Sequence, residues 1–585
     1  MTVYERIAGR EPVTIVEIDQ DFCNLTYGTA PCTAAVGTTG DRKCYNTRAT
    51  CQDVANYDRG ALTLRFCRPQ ESIPAEWGAM PFVRTVQTQP TVINPGGGER
   101  RISAFGRRAQ CTVTFTDAPH SDFRVDKYRG ERDFDPSTRG TFWTKFLIRS
   151  PFYEGRPMRI REGYLGQDLA DMTTRHYVIE RIEGPDAAGN VRVTAKDILA
   201  LVDRERAQAP RPANGELEND ISDTAGSATL LPAGVGSEYP TSGFARLGSE
   251  VVSYTRSGDN LTLTGRGLFN TDADDHDAET TFQDCLEYDG VRVEEVIRGL
   301  LVDYGDVPTE FIPFGEWQTE GARWLPGYQL TTLITEPTPV VDLISELTEQ
   351  CIVYIWWDER KQRIEFAAIR PPLPSDDIPQ WDEQRNVVEG SLRVEEDPRQ
   401  RISLALLYYE QRDPTGGQQQ GANYDIVRPR IRADAESADQ YGDRKTRTIY
   451  SRWLKRVNRG EVITTQARLL ARYGRNPLRV SFRVDAKDRD VWTGDIIDMQ
   501  HRSMVDDTGA PRVQRLQVIS AEEVDPGHHV QYHCQTSEFV GRYAFIMQND
   551  SPVYVEASGR LRDSGAWFAP DPSGFADGSE PYRII

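Results

Sequence analysis

Four of the nine cysteines lie close together, between residues 23 and 51. Their spacing is C-x8-C-x11-C-x6-C, and no histidine lies among them. Structural zinc sites more often use C-x2-C pairs or mixed sets of Cys and His. Four soft thiolates without another ligand type are typical of an iron–sulfur cluster, in which each sulfur binds one iron. The pattern therefore predicts an iron–sulfur site with four ligands: Cys23, Cys32, Cys44 and Cys51.

The residues between these cysteines fit a loop folded around a compact guest. Sharp backbone turns are allowed at one proline and three glycines: Gly28, Pro31, Gly37 and Gly40. Thr47 is expected to cap a short helix that carries Cys51 inward. The same cysteines also allow a zinc ion, two disulfides or four ordinary thiols. Disulfides fit less well, because the opening MTVYERIAGREP contains no secretory leader and maturation in a reducing cytoplasm is expected.

The residues around the four cysteines are as informative as the spacing of the cysteines themselves. The strings CNLTYGTAPC, from Cys23, and KCYNTRATC, from Lys43, resemble the cysteine-bearing domain of the minor tail protein L family of lambda-like phages. Related tail-tip and baseplate hub proteins of other siphophages share this domain. The resemblance is specific over residues 13–70 and diffuse elsewhere, and it implies a 4Fe-4S cluster on the four cysteines. One departure is the loop at residues 33–43, which is shorter than in that family and must close differently.

The resemblance also implies a role. The implied role is that of a structural virion protein. It would be a baseplate or tail-tip hub subunit of a long non-contractile tail, and it would close the tube and anchor the central fibre. Such a protein is expected to be a homotrimer assembled in the host bacterial cytoplasm and located at the virion tail tip. Its expected neighbours are the distal tail protein, the tape measure protein and the central fibre or tip proteins. DNA would pass through the lumen without specific binding.

An enzyme is the alternative class, either a cell-wall hydrolase carried by the tail or a cluster-dependent redox protein. The sequence contains no G-x-S-x-G, H-E-x-x-H or Walker A motif. Acidic pairs are too numerous in this chain to single out glycosidase carboxylates. We therefore expect no catalytic residues.

Length and charge bound the possibilities. At 585 residues the chain predicts about three to five domains. Its net charge of −20 argues against a general nucleic-acid binder, because phosphate neutralisation supplies most of such affinity. No run of about 18 apolar residues occurs, so no membrane span is expected.

Short strands punctuated by Gly, Pro and Asp predict a mainly β multidomain protein with some helices. It would combine tube-like β-domains, a small inserted β unit and a closing β-barrel-like domain. The predicted regions are the four-cysteine region 1–75, a tube-like β-domain 76–212, a linker with the inserted β unit 213–287, an α+β hub domain 288–420, a helix plus β-barrel-like domain 421–540, and an extended docking tail 541–585.

Individual elements follow from periodicity. Strands are predicted at residues 141–148 and 158–161, and a hairpin at 176–184 and 190–197 leads into a short helix ending at 203. Helices are predicted at 291–305, 340–350 and 461–474. Thr338 would cap the second of these, with Pro339 in its first turn. A hairpin at 351–369 would bury Trp356 and Trp357 as core or interface residues.

Three further stretches invite a binding interpretation. The acidic loop around His276 could hold a cation, but a solvated turn is favoured. The acidic residues of this loop are Asp272, Asp274, Asp275, Asp277 and Glu279. Its wording also resembles an RG-x-x-x-T-x-A-x-x-H turn of phage hub proteins. A basic run at residues 444–460 is expected to meet a neighbouring chain rather than nucleic acid. His529 and His533 share a strand face without enough partners for a metal.

Overall fold

The structure is a computed structural model that describes residues 11–97, 103, 105–370, 377–431, 444–525 and 527–537. The fold is mainly β with some α, as predicted. Several sheets are arranged along the chain, and one helical layer lies in the middle. The predicted docking tail, residues 541–585, lies outside the described residues.

The first sheet has seven antiparallel strands in the order β2-β1-β5-β6-β7-β4-β3. Its strands are β1 (Pro12–Cys23), β2 (Arg59–Phe66), β3 (Val83–Gln89), β4 (Gln110–Thr116), β5 (Pro157–Tyr164), β6 (Thr173–Glu183) and β7 (Asn190–Lys196). Phe66, Phe115 and Trp143 lie in its core. The sheet thus joins strands from both the predicted four-cysteine region and the predicted tube-like domain.

A helix, not the predicted strand, occupies residues 141–148. Helix α1 (Phe142–Arg149) buries Phe142, Trp143 and Phe146 on the first sheet. The carboxylate of Asp117 accepts hydrogen bonds from the Thr141 hydroxyl at 2.5 Å and the Trp143 N–H at 2.9 Å. These bonds satisfy amide and hydroxyl donors at the start of the helix. Asp117 lies far from this segment in sequence, so the periodicity of residues 141–148 could not reveal its contribution.

The next segment forms a separate six-stranded sheet in the order β14-β11-β12-β13-β10-β9. Before it, the short strand β8 (Gln208–Ala209) lies outside both sheets. The six strands are β9 (Glu216–Leu217), β10 (Ser227–Leu231), β11 (Ser242–Leu247), β12 (Glu250–Ser257), β13 (Asn260–Gly265) and β14 (Phe282–Asp284). This unit has its own core around Tyr254 and Phe282, and its strands β12 and β13 form a hairpin.

The middle of the chain contains the largest hydrophobic core. Its strands are β15 (Leu286–Arg292), β16 (Gln329–Ile334), β17 (Thr338–Pro339), β18 (Val353–Asp358) and β19 (Arg363–Ala368). Its helices are α2 (Val293–Gly299), α3 (Phe314–Trp324) and α4 (Val340–Gln350). Trp356 and Trp357 are buried in this core, as predicted. Thr338 does not cap α4, because it pairs with β8 as part of β17, and Pro339 precedes the helix.

The C-terminal part combines a nearly closed, barrel-like sheet with a smaller one. The larger sheet contains β20 (Gln380–Asp382), β21 (Arg393–Glu396), β25 (Leu478–Asp485), β26 (Ile496–Val505), β27 (Pro511–Asp525) and β28 (His529–Thr536). The smaller sheet contains β22 (Leu404–Gln411), β23 (Tyr424–Ile431) and β24 (Thr446–Tyr450). Helix α5 (Arg459–Tyr473) confirms the predicted helix before β25.

A buried charge cluster joins the first sheet to the barrel-like sheet. Arg175 of β6 lies 2.9 Å from Glu162 of β5, 3.5 Å from Glu523 of β27 and 3.8 Å from Glu359. All four side chains are buried. Burial, opposed by Arg175 and reinforced by the neighbouring carboxylates, raises the pKa of Glu162 to about 8. Burial also raises the pKa of Glu359, whereas Arg175 and its neighbouring arginines lower the pKa of Glu523 against the effect of burial.

No helix in the described part of the chain is both long and apolar enough to span a membrane.

Candidate metal centre

The four predicted cysteine ligands are brought together by the connection between β1 and β2. Cys23 is the last residue of β1, and the other three lie in the loop that follows. Burial raises the pKa of the Cys44 thiol, and the sulfurs of Cys51, Cys32 and Cys23 add to that rise. Burial and two of the same neighbours also raise the pKa of Cys51. The four thiols therefore lie within electrostatic reach of one another, and each is a free thiol.

A tetrahedral zinc site fixes the spacing of its four sulfurs. Tetrahedral zinc holds its sulfurs about 3.8 Å apart, as follows from Zn–S bonds of about 2.3 Å. Within the described ranges, no three His, Cys, Asp or Glu side chains are placed to hold a single metal ion.

Two backbone amides point at cysteine sulfurs. The Asp53 N–H donates to the Cys51 sulfur at 3.4 Å, and the Asn46 N–H donates to the Cys44 thiol. Each donor lies two residues after its cysteine. Such N–H···S bonds stabilise thiolates and tune the potential of iron–sulfur clusters.

Asn46 also holds the first ligand in place. Its carbonyl accepts the Cys23 N–H at 2.6 Å, and its side-chain amide donates to the carbonyls of Cys23 and Leu25. Asn46 adopts a φ of 58°, a left-handed conformation that asparagine tolerates better than most residues. This residue therefore links the segment of Cys44 to the end of β1.

A second anchor comes from far along the sequence. The Arg132 guanidinium donates to the carbonyls of Lys43 at 2.6 Å and Cys44 at 2.9 Å. It also binds the Asp126 carboxylate at 2.8 Å, and both charged side chains are almost fully buried. The Tyr128 hydroxyl accepts the Tyr27 N–H at 2.7 Å. The segment after β4 thus clamps the cysteine loop.

Several cations surround the loop. Lys43 lies 4.8 Å from the Tyr128 ring centroid and pairs with Glu131 at 2.7 Å. The guanidinium groups of Arg132 and Arg149 lie 4.1 Å and 3.8 Å from the ring centroid of Tyr45. Arg132 and Arg149 are also paired with carboxylates, those of Asp126 and Asp122, so all three positive charges are balanced within the chain.

The remaining loop residues close the site in a way the spacing alone did not specify. Thr47 is followed by a single 3-10 turn (Arg48–Thr50), not by the expected helix, and Cys51 ends that turn. The loop at residues 33–43 is closed by the Gly37 N–H, which donates to the Gly40 carbonyl at 2.8 Å. The Asp53 carboxylate accepts the Thr33 N–H at 2.7 Å.

The acidic loop near His276 is organised by a buried carboxylate. Glu250 accepts two hydrogen bonds from Arg266, at 2.7 and 2.8 Å, and lies 2.8 Å from His276 Nε2. Although burial opposes it, these bonds lower the pKa of Glu250 to about 2. Thr271 accepts the Val251 N–H at 3.0 Å. The arginine, threonine and histidine of the predicted turn therefore have a structural role in this region. Glu250, which organises the turn, was not identified from the sequence.

The other predicted binding stretches are largely engaged within the chain. In the basic run, Arg447 donates to Glu349 at 2.7 Å and Arg452 donates to Glu346 at 2.6 Å. His529 contacts Asp525 at 2.9 Å, and it faces the same side of β28 as His533. Neither stretch forms a metal site among the described residues.

Comparisons with known proteins give weak likenesses. No family model matches the chain, and no curated protein matches it either. A tail protein from Neisseria meningitidis MC58 aligns with a TM-score of 0.33 at 10% identity, covering 73% of this chain and 88% of its own. The 43 kDa tail protein of prophage MuSo2 from Shewanella oneidensis aligns with a TM-score of 0.35 at 8% identity, covering 77% of this chain and 97% of its own. A chain of the native gene transfer agent particle gives 0.28 at 11% identity, covering 58% and 92%. Likenesses this low establish neither a family nor a function.

Proposed function

We propose that this chain is a structural virion protein, the baseplate or tail-tip hub subunit of a long non-contractile phage tail. It closes the tube, anchors the central fibre and carries a structural iron–sulfur cluster at its N-terminal sheet. The observation that carries the proposal is the convergence of four thiols in a segment whose sequence resembles the cysteine domain of such hubs.

The donor set and its surroundings suit a 4Fe-4S cluster. Four free thiols are available, and two of them accept backbone N–H bonds. A cluster distributes its thiolates over several irons and needs wider sulfur spacing than one ion does. When bound, the cluster would cross-link the loop to β1 through the four ligands. Asn46 and Arg132 hold the ligand-bearing backbone in position.

Zinc is the second candidate guest, because it would use the same four cysteines. It requires the four sulfurs to lie about 3.8 Å apart, as Zn–S bonds of about 2.3 Å dictate. Metal and sulfide analysis separates the two, since only the cluster contains acid-labile sulfide.

The remainder of the proposal concerns assembly. We propose a homotrimer at the virion tail tip, assembled in the host cytoplasm, with the distal tail protein, the tape measure protein and the central fibre or tip proteins as neighbours. DNA would pass through the lumen without specific binding, which the net charge of −20 favours.

Electron microscopy tests this assembly directly. The purified protein should form three-fold rings, and an antibody against it should label the distal end of tails in a phage lysate. Monomers without virion label, together with turnover of cell-wall fragments, would favour the hydrolase alternative.

A further inference from the structure

A cleft of about 660 Å³ lies where one face of the first sheet meets two turns from later in the chain. The first sheet contributes paired residues on one face of β5 and β6: Arg159, Arg161, Thr174 and His176. The turn between β18 and β19 contributes Arg360 and Gln362, and the segment between β25 and β26 contributes Arg489 and Asp490. Basic side chains therefore dominate the described lining of the cleft.

Hydrogen bonds connect the two sides of this cleft. The Arg489 guanidinium donates to the Thr173 hydroxyl of β6 at 3.4 Å, and the Arg360 guanidinium donates to the Arg489 carbonyl. The Arg360 guanidinium also stacks on Trp492, 3.6 Å from the ring centroid. These contacts hold the basic side chains in place, which reduces the entropy that ordering them around a ligand would cost.

The carboxylates that pair with the arginines of β5 do not serve them alone. Glu17 lies 2.9 Å from Arg159 and 3.0 Å from Arg161, but it also lies 2.9 Å from Arg65, outside the cleft. Asp19 supplies a second carboxylate to Arg159 at 2.6 Å. Two carboxylates therefore serve three arginines on this side.

Arg360, on the other side, has no such partner. Glu523 lies 3.4 Å from Arg489 and 3.5 Å from Arg175, so it too is shared. Among the described residues, no carboxylate lies within ion-pair distance of the Arg360 guanidinium. Burial lowers the pKa of Arg360, and Arg489 and Arg175 lower it further, whereas Tyr532 and Glu523 oppose them. The charge of Arg360 is thus incompletely balanced within the chain.

Two buried polar atoms of the lining residues also lack a hydrogen-bond partner in the described part of the chain. They are Nη2 of Arg360 and Nε2 of His176. Unpaired buried polar atoms are rare in folded proteins, and a ligand or an ion is one reason for them. Burial, together with Arg159 and Arg161, lowers the pKa of His176 to about 4, in spite of the two carboxylates nearby. The positive charges therefore outweigh the negative ones at this ring.

We propose that this cleft binds an oxyanion of the phosphate class, held by Arg360 and His176. Guanidinium groups donate paired N–H bonds to phosphate oxygens, and a neutral histidine can donate from Nε2. The anion would give both atoms the partner that they lack and would balance the charge of Arg360. It would also link the first sheet to the turn that precedes β26 of the barrel-like sheet. The inference does not depend on the proposed hub function.

Thermal unfolding and equilibrium dialysis of the full-length protein test this site. Inorganic phosphate, compared with sodium chloride at the same ionic strength, should raise the melting temperature by at least about 3 °C at about 20 times its dissociation constant. Dialysis should find about one phosphate per chain, because the cleft is a single site. Adenosine monophosphate identifies the source of the phosphate group. Tighter binding of the nucleotide assigns the cleft to a phosphate ester, and equal or weaker binding assigns it to the free anion.

Two variants connect the effect to the cleft. Gln362→Glu adds a carboxylate at an exposed lining position and should weaken phosphate binding at least about 10-fold, because like charges repel. Its control, Gln87→Glu, adds the same charge at an exposed position of β3, three strands from β6, and should leave binding unchanged. Arg360→Gln should weaken binding by a similar factor. If that variant fails to fold, Gln362→Glu decides alone.

Three results would overturn the inference while leaving the proposed hub function standing. The first is an equal response of the wild type to phosphate and chloride. The second is the same phosphate affinity in Gln362→Glu and Gln87→Glu, which would place the phosphate elsewhere on the molecule. The third is equal stabilisation by acetate, which would show a preference for any anion rather than for phosphate.

Discussion

Cys44 has the most closely defined surroundings of the four cysteines. Its backbone carbonyl is bound by Arg132, its thiol accepts the Asn46 N–H, and its thiol interacts with the other three sulfurs. Cys67, by contrast, is buried among the apolar residues Val13, Ile15 and Met172, away from the loop. The two residues therefore form a matched pair for substitution.

Replacing Cys44 should remove the guest and destabilise the first sheet. Cys44→Ser is expected to lower cluster affinity at least about 100-fold, the upper range for losing a residue that only supports a ligand. The brown absorbance should disappear and the melting temperature should fall, because binding energy at such sites is folding energy. Absorbance, iron and sulfide assays check this. Cys67→Ser should leave all three unchanged, and full iron and sulfide in Cys44→Ser would remove Cys44 from the site.

Glu162 predicts a pH dependence of stability. Its folded pKa is raised to about 8 from an ordinary value near 4.5, so the folded state retains a proton that the unfolded state releases. The contribution is fully present below about pH 4.5 and is lost as the pH rises towards 8. A glutamine at this position is neutral at every pH, so Glu162→Gln should not show this decrease in folding stability.

Thermal unfolding at pH 5 and pH 8 measures that difference. Between pH 5 and pH 8 the melting temperature of the wild type should fall further than that of Glu162→Gln, by about 3 °C or more. About 1 kcal/mol shifts the melting temperature by 2–4 °C in domains of this size. Glu180→Gln is the control, because Glu180 is exposed and pairs with Lys196 at the surface. An equal pH response in wild type and Glu162→Gln would show that another carboxyl holds the proton.

Among the elements, those with local signals were predicted well. Helix α4, helix α5 and the hairpin of β18 and β19 are set by neighbours in sequence, and the structure has all three. Elements that depend on distant partners were not predictable. Residues 141–148 form a helix because Asp117 and the aromatic core support it.

The same distinction applies to the candidate site. Cysteine spacing identified the four thiols that the structure brings together, whereas Arg132, Asp126 and Tyr128 lie about 80 residues or more beyond Cys44 in sequence. No local pattern marks a buried arginine that binds backbone carbonyls. The Arg-x-x-x-x-Thr spacing near Glu250 was visible in the sequence, but its structural role required the fold.

The predicted docking tail, residues 541–585, is expected to contact another tail protein through aromatic side chains. It contains several aromatic residues, among them Tyr543, Phe545, Tyr554, Trp567, Phe568, Phe575 and Tyr582. Deletion after Arg542 should leave a folded, metal-bearing protein, because β20, β21 and β25 to β28 complete their sheet before it. Attachment of the next tail component should fail, since aromatic anchors carry much of the energy of interfaces.

Complementation of tail assembly measures this outcome. A full-length control with Trp567, Phe568 and Phe575 replaced by Ser should fail in the same way. Infectious tails with the fibre in place would refute docking by the tail. Failure of the truncated protein to fold or oligomerise would assign the tail to the ring itself.

At the scale of the whole molecule, the cysteine loop is connected through the first sheet to the barrel-like sheet. The loop joins β1, the first sheet meets the barrel-like sheet at Arg175, and the Tyr164 hydroxyl donates to the Gly527 carbonyl at 2.7 Å. Loss of the guest would therefore weaken the region that supports the junction.

The most direct test of the central claim is elemental analysis of the protein purified without oxygen. We predict about four irons and four acid-labile sulfides per chain, with little zinc, as a 4Fe-4S cluster on four cysteines requires. One zinc per chain without sulfide, or no metal with four reactive thiols, would contradict the account.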